Sequence, residues 1–165
     1  MRTATKSTST SRSVGGGKNT MLLYMLDTDI CSYILRQCPI SVMETLEDKI
    51  RKGHHACISV VTYRELIAGL DKDGNPRFHI DEILERLTHH DMKWDFECER
   101  KFAALSAAYV RKYPKSNFDN IRNDVMIASQ ALAYRAVVVT NNERDFARIR
   151  RIGGPVWENW VSVSR

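Results

Sequence analysis

Apolar positions along this chain alternate between short unbroken runs and longer stretches at helical spacing. Leu22-Leu23-Tyr24-Met25-Leu26 is a continuous apolar run that stops at Asp27, the pattern of a strand buried on both faces. Helical spacing follows over Ile30 to Leu35 and again at Ile40, Val42, Met43, Leu46 and Ile50. Ala56-Cys57-Ile58-Ser59 reads as a second short strand, and Val61 to Leu70 as a helix halted by the turn cluster Asp71 to Pro76. Further helices are predicted over Ile80 to Leu87, over Phe96 to Lys112 before Pro114, and over Asn123 to Tyr134. Ala136-Val137-Val138-Val139-Thr140 is the clearest strand, β-branched throughout its centre. Strands alternating with helices predict an α/β fold whose central parallel sheet is covered by helices on both faces. No internal repeat is present.

Residues 1 to 20 break this pattern. They are rich in Ser, Thr and Gly with almost nothing apolar, and the expectation is a disordered extension before a folded domain over 21–165. The segment is basic and acid-free like a transit peptide, but Met21 opens a complete domain, so an upstream start or an added extension explains it equally well. It also carries much of the charge. The whole chain is at +5, yet Arg2, Lys6, Arg12 and Lys18 lie in the extension and leave 21 basic against 20 acidic residues in the body. Affinity for nucleic acid must therefore come from local placement, with Arg144, Arg148, Arg150 and Arg151 as a candidate run, although such a run also reads as a solvated helix face. No apolar run approaches the roughly eighteen residues of a membrane span. Cys31, Cys38, Cys57 and Cys98 form no CxxC pair, and three of them sit in or beside apolar stretches; buried free thiols in a reducing cytoplasm are expected.

The acids are where chemistry is expected. In parallel sheets ligands bind beyond the carboxyl ends of the strands. Asp27 directly follows the first strand, while Asn141, Asn142 and Asp145 follow the last, so both groups fall at one edge. Glu65 shares a helix face with Val61, Ala68 and Gly69, and Asp124 shares one with Ile127, Ala128 and Ala131, which aims both inward. Each acid alone has a plainer role. Asp27 and Asp124 are placed to cap helices, Glu65 to pair with Arg64 or another base, and Asp145 to sit on the surface. Together, four crowded carboxylates would repel one another without a cation, and hard oxygen ligands select Mg²⁺ or Mn²⁺. Phosphodiester hydrolysis uses such a cluster. A zinc site from His54, His55, Cys57, His89, His90 and Cys98 fits no standard spacing.

Four ordered stretches also resemble a known family. Met25-Leu26-Asp27-Thr28-Asp29-Ile30-Cys31 is similar to the opening motif of PIN-domain nucleases, and Ile58 to Leu66, with Glu65, resembles the second. Asn123-Asp124-Val125-Met126-Ile127-Ala128 resembles the third and Val139 to Phe146 the fourth, while Trp157-Glu158-Asn159-Trp160 is similar to the ending of VapC toxins of bacterial toxin–antitoxin pairs. The resemblance spans Met21 to Trp160. It implies a compact PIN-like α/β/α sandwich and a Mg²⁺-dependent endoribonuclease acting on RNA of the tRNA class. It also implies a VapB-type antitoxin that makes the DNA contact, and a homodimer. Asp27, Glu65, Asp124 and Asp145 become metal ligands and catalytic residues; Thr28, Asp29, Ser59, Thr140 and Asn141 become the residues that orient carboxylates and water. Asp29 stands where the family commonly has Asn, Glu143 competes with Asp145 for the fourth place, and Asp119 adds an acid before Asp124. The competing expectation is a PIN-like RNA-binding or regulatory module without turnover.

Overall fold

A computed structural model describes residues 20–69, 80–88 and 92–161. Most of the extension, the turn cluster at 71–76, and His89 and His90 lie outside the described residues. Among the described residues the chain runs β1 (Leu23–Leu26), α1 (Thr28–Arg36), α2 (Ile40–Arg51), β2 (His55–Ile58), α3 (Val60–Ala68), α4 (Ile80–Leu84), α5 (Phe96–Lys112), a 3₁₀ turn (Phe118–Asn120), α6 (Arg122–Tyr134), β3 (Val137–Val139), α7 (Glu143–Arg150) and β4 (Trp157–Glu158). The strands are ordered β2-β1-β3-β4, every pair parallel. With helices on both sides this is the expected α/β/α sandwich.

Residue alternation in β1 builds the two halves of the core. Tyr24 and Leu26 face one side, packing with Ile30, Ile34, Val42, Leu46 and Ile83 from α1, α2 and α4. Met25 faces the other, with Leu105, Tyr109, Val125, Ile127, Phe146 and Ile149 from α5, α6 and α7. Both sides of the central strands are thus dry, which is why β1 and β3 read as unbroken apolar runs and not as alternating ones.

Helix ends follow local chemistry. The Asp95 side chain accepts a 3.0 Å hydrogen bond from the Cys98 amide at the start of α5, Glu97 and Glu99 occupy its first turn, and Arg111 and Lys112 its last. In α6 the left-handed Arg135 (φ 54°) closes the helix, and the Ala136 amide reaches the Ala131 carbonyl at 2.8 Å. Cys31, Cys57 and Cys98 are buried free thiols, and Cys38 is exposed.

Three elements depart from the expectation. β4 has two residues, too few for a periodic signal, and exists only because Trp157 and Glu158 pair with Val138 and Val139. The polar segment after β3 is a full helix, α7, whose buried residues Asp145, Phe146 and Ile149 form a narrow stripe among arginines. The fourth helix stops at Leu84 and not at Leu87.

The return from α7 to β4 is tight. Gly153 sits at φ 99°, a left-handed position that favours glycine, and the Gly154 amide donates to the Ile149 carbonyl at 2.9 Å. A Cβ on Gly154 would lie 2.5 Å from Ile149 Cγ2 and 2.7 Å from its carbonyl oxygen. Gly154→Ala is therefore expected to cost about 1–3 kcal/mol, read as a lower urea midpoint at unchanged slope.

Candidate active site

The strand register sets the floor of the site. Leu26 aligns with Ile58 on one side and Val139 on the other, and Val139 aligns with Glu158. The next residues, Asp27, Ser59, Thr140 and Asn159, consequently succeed one another along a single carboxyl edge. The chain leaves β1 toward β2 on one side, while β3 lies on the other, so β1 and β3 frame the topological switch point where a crevice opens.

Asp27 sits in that crevice, buried at 6% exposure. Its Oδ1 accepts from the Thr28 amide at 2.7 Å, capping α1, and its Oδ2 accepts from the Thr140 hydroxyl at 2.8 Å. The capping role is real, but it occupies only one carboxylate oxygen. Glu65 Oε2 accepts from the Thr28 hydroxyl and Oε1 from the Asn123 side-chain amide at 2.6 Å. These partners replace the expected Arg64, which is exposed. The apolar stripe around Glu65 is also thinner than the spacing predicted, since Ala68 is exposed and Glu65 itself half-buried.

Asp124 lies within the first turn of α6, where the residue in the capping position is Ile121 and makes no side-chain cap, so the capping role does not apply to Asp124. The Asn142 side-chain amide joins it to Asp145, at 3.1 Å from Asp124 Oδ2 and 3.2 Å from Asp145 Oδ2. Asp145 is buried at 9% exposure and not on the surface. Its other contacts are Arg144 Nε at 3.1 Å and Nη2 at 3.2 Å, with Arg148 at 4.0 Å.

The remaining candidates separate cleanly. Asp29 accepts from the Ile30 amide at 2.7 Å and from the Asn141 amide at 3.0 Å, tying the end of β1 to the loop after β3. Thr140 joins Asp27 directly and also accepts from the Asn142 amide at 2.9 Å. Ser59 caps α3, its oxygen 2.8 Å from the Thr62 amide and its hydroxyl donating to the Thr62 side chain at 3.0 Å. Glu143 is exposed and held by Asn159 at 2.7 Å, and Asp119 is exposed and paired with Arg122, so neither shares the Asp27–Asp124 contacts. Four further residues orient the site without standing out in the sequence: Tyr33, Asn123, Asn142 and Asn159. Their only signal is an amide or hydroxyl inside or beside a motif, and Asn159 meets Asn141 at 3.1 Å from the far end of the chain.

Electrostatics bind the acids into one unit. Burial, then the charges of Asp29 and Glu65, push the Asp27 carboxyl up to about 7 against the bonds from Thr28 and Thr140. Burial, then the charges of Asp27, Asp145, Glu65 and Asp29, push Asp124 up to about 7. Burial also raises Asp29. For Asp145 burial works in the same direction, but hydrogen bonds from Arg144 and Asn142 outweigh it and hold the carboxyl below its usual value. Among the described residues no three acids, histidines or cysteines are arranged to hold a metal ion between them. The donor chemistry nevertheless suits a hard divalent cation: oxygen ligands only, mutually repelling, and relieved of that repulsion by positive charge. The imagined zinc set has no such character. Cys57 is buried in β2, and His54 accepts the Leu22 amide at 3.3 Å.

A profile of the PIN domain matches residues 24–152. The chain belongs to the PIN family. This PIN domain is 33% identical to the tRNA(fMet)-specific endonuclease VapC of Shigella flexneri, over 85% of this chain and 99% of that protein. It is 31% identical to ribonuclease VapC2 of Haemophilus influenzae, over 86% of this chain and all of that one. Among solved structures it resembles VapBC2 from Rickettsia felis bound to a promoter DNA fragment, with 30% identity, a TM-score of 0.68, and coverage of 85% and 100% of the two chains. It is similarly close to DNA-bound VapBC from Salmonella typhimurium, at 30% identity and a TM-score of 0.66, covering 86% of this chain and all of that one.

The raised carboxyls of the PIN domain have a measurable consequence without metal. A folded pKa above the unfolded value means the folded state binds more protons between about pH 4 and about pH 7, so stability falls as pH rises through that window. The metal-free protein is expected to melt at progressively lower temperature from about pH 4 to about pH 7. Asp124→Asn should flatten that slope and melt higher than the parent at the upper end, as followed by circular dichroism in EDTA.

Proposed function

We propose that this PIN domain is a Mg²⁺-dependent endoribonuclease, the toxin of a toxin–antitoxin pair, with Mn²⁺ able to replace Mg²⁺. The observation that carries the reading is the meeting of Asp27, Glu65, Asp124 and Asp145 at one sheet edge, with Asp27 and Asp124 held up to about 7 by burial and by the other acids. Such a cluster is costly as bare carboxylates and apt as a cation site. A bound Mg²⁺ would supply polarisation of the phosphate and a more acidic attacking water.

The chain's own residues hold the acids for that purpose. Thr140 and the Thr28 amide fix both oxygens of Asp27, Thr28 and Asn123 fix Glu65, and Asn142 spans Asp124 and Asp145. Held side chains lose less freedom when they take a ligand, which is the benefit of such supporting contacts. Attack by water with departure of the 3′ oxygen leaves a 5′-phosphate and a 3′-hydroxyl. The tRNA-specific name of the Shigella relative supports tRNA as substrate class, and the VapBC complexes on DNA support a VapB-type antitoxin that carries the DNA contact. Homodimerisation belongs to the same reading.

Purified protein freed of antitoxin is expected to cleave RNA in Mg²⁺, to stop in EDTA, and to be inactive as Asp27→Asn. Asn142→Ala should retain the fold and lose about ten- to a hundredfold in rate or metal affinity. Cleavage that persists without divalent metal, or ends in a 2′,3′-cyclic phosphate, would overturn the mechanism.

A further inference from the structure

Asp145 has two sets of neighbours. Asn142 connects it to Asp124 and the acid cluster, while Arg144 and Arg148 meet it as well. Those two arginines line a cleft of about 200 Å³ together with Tyr109, Ser116, Asn117 and Asn120, and Asp145 itself forms part of the wall. The cleft is therefore contiguous with the candidate active site, yet its chemistry is opposite. Two guanidinium groups face one carboxylate, beside a cluster of acids that would repel a phosphate chain.

We infer that this cleft takes a nucleotide of the RNA next to the one cut, with its phosphate on Arg144 and Arg148 and its base against the amides of Asn117 and Asn120. The inference rests on the RNA-cleaving reading of the acid cluster and adds to it where the strand lies.

The arginines are prepared for an anion. Arg144 uses Nε and Nη2 on Asp145 while its side chain stays 78% exposed, and a guanidinium has five N–H donors, so donors remain for a phosphate. Arg148 lies 4.0 Å from Asp145, beyond hydrogen-bond distance, with the Tyr113 ring 5.7 Å from its guanidinium carbon, so its N–H donors remain for a phosphate. The planar fork of Arg144, held by two hydrogen bonds, binds phosphate at a smaller entropic cost than a free side chain.

The rest of the cleft suits a base. Asn117 Oδ1 accepts from the Asp119 amide at 3.0 Å and so fixes the loop, whereas the Asn120 side chain makes no hydrogen bond among the described residues. Side-chain amides offer both a donor and an acceptor, the combination that reads base edges in single-stranded RNA. The volume falls below the ~300–1,000 Å³ of pockets that enclose whole drug-sized ligands. It matches one nucleotide laid along the cleft and not enclosed by it.

The test separates binding from turnover. A short fluorescein-labelled single-stranded RNA is titrated by anisotropy against Asp27→Asn protein in EDTA, at several salt concentrations, so that no cleavage is needed. Adding Arg148→Gln should weaken binding about tenfold at low salt and reduce the slope of log Kd against log salt by about one. Arg151→Ala, on the same charge run but outside the cleft, should change neither. In the otherwise unsubstituted enzyme Arg148→Gln should raise KM, and Asn120→Ala should alter which sequences are cut. Unchanged Kd, salt slope and KM in Arg148→Gln would overturn the inference, as would an equal loss in Arg151→Ala, which would mean diffuse charge only. Weakened antitoxin capture with RNA binding intact would assign the cleft to a protein partner and overturn it too. RNA binding through Arg148 in a protein that never cleaves would instead remove the nuclease reading and leave the cleft standing.

Discussion

The parallel pairing of β1 with β2 and β3 at once is the constraint on which the rest of the molecule depends. It requires crossover helices on both faces, since parallel neighbours cannot be joined by tight hairpins. It makes β1 the central strand, dry on both sides, with Tyr24 and Leu26 in one half of the core and Met25 in the other. It also brings Leu26, Ile58 and Val139 into one row, so that Asp27 and Thr140 emerge side by side. A slip of one residue in the β1–β3 pairing would exchange the faces of the strand and separate the Thr140 hydroxyl from Asp27.

From that alignment comes an electrostatic problem that the site carries openly. Burial and mutual repulsion raise Asp27 and Asp124, while Asp145 escapes the same fate through Arg144 and Asn142. The neutral donors around the acids, Thr28, Asn123, Thr140 and Asn142, hold the carboxylates without cancelling their charge. The arrangement keeps Asp27 and Asp124 raised at one edge of the sheet, with Arg144 and Arg148 beside Asp145.

Much of the site is legible in the chain because its members lie at element boundaries. Asp27 ends an apolar run and Asp145 follows the clearest strand, so the rule for parallel sheets brings those two to one edge from chain order alone, while Asp124 is read as facing inward from its place on a helix face. Choosing among near neighbours is another matter. Asp145 and Glu143 are two residues apart on one helix, and only burial separates them: Asp145 faces Asp124 through Asn142, whereas Glu143 is exposed beside Asn159. Ser59 sits in the same row as Asp27 and Thr140, yet its hydroxyl is taken by the first turn of α3. Hydrogen-bond direction at a strand end depends on which helix follows, and residue spacing does not encode it.

Local periodicity, with its sharp boundaries between apolar runs and polar residues, is enough to specify the α/β class, the strands β1, β2 and β3, most helix spans and the carboxyl-edge location of Asp27 and Asp145. It does not specify that α7 folds around a stripe of Asp145, Phe146 and Ile149, or that the two residues of β4 complete the sheet. Nor does it join Asn159 to Asn141, or Asn142 to Asp124 and Asp145; packing of remote segments does that. The physical reason is the same in each case. A short strand or a lone amide has no period of its own, and it acquires a partner only when distant segments are packed against it. The acids are visible because they interrupt a pattern; the groups that hold them belong to no pattern until the chain is folded.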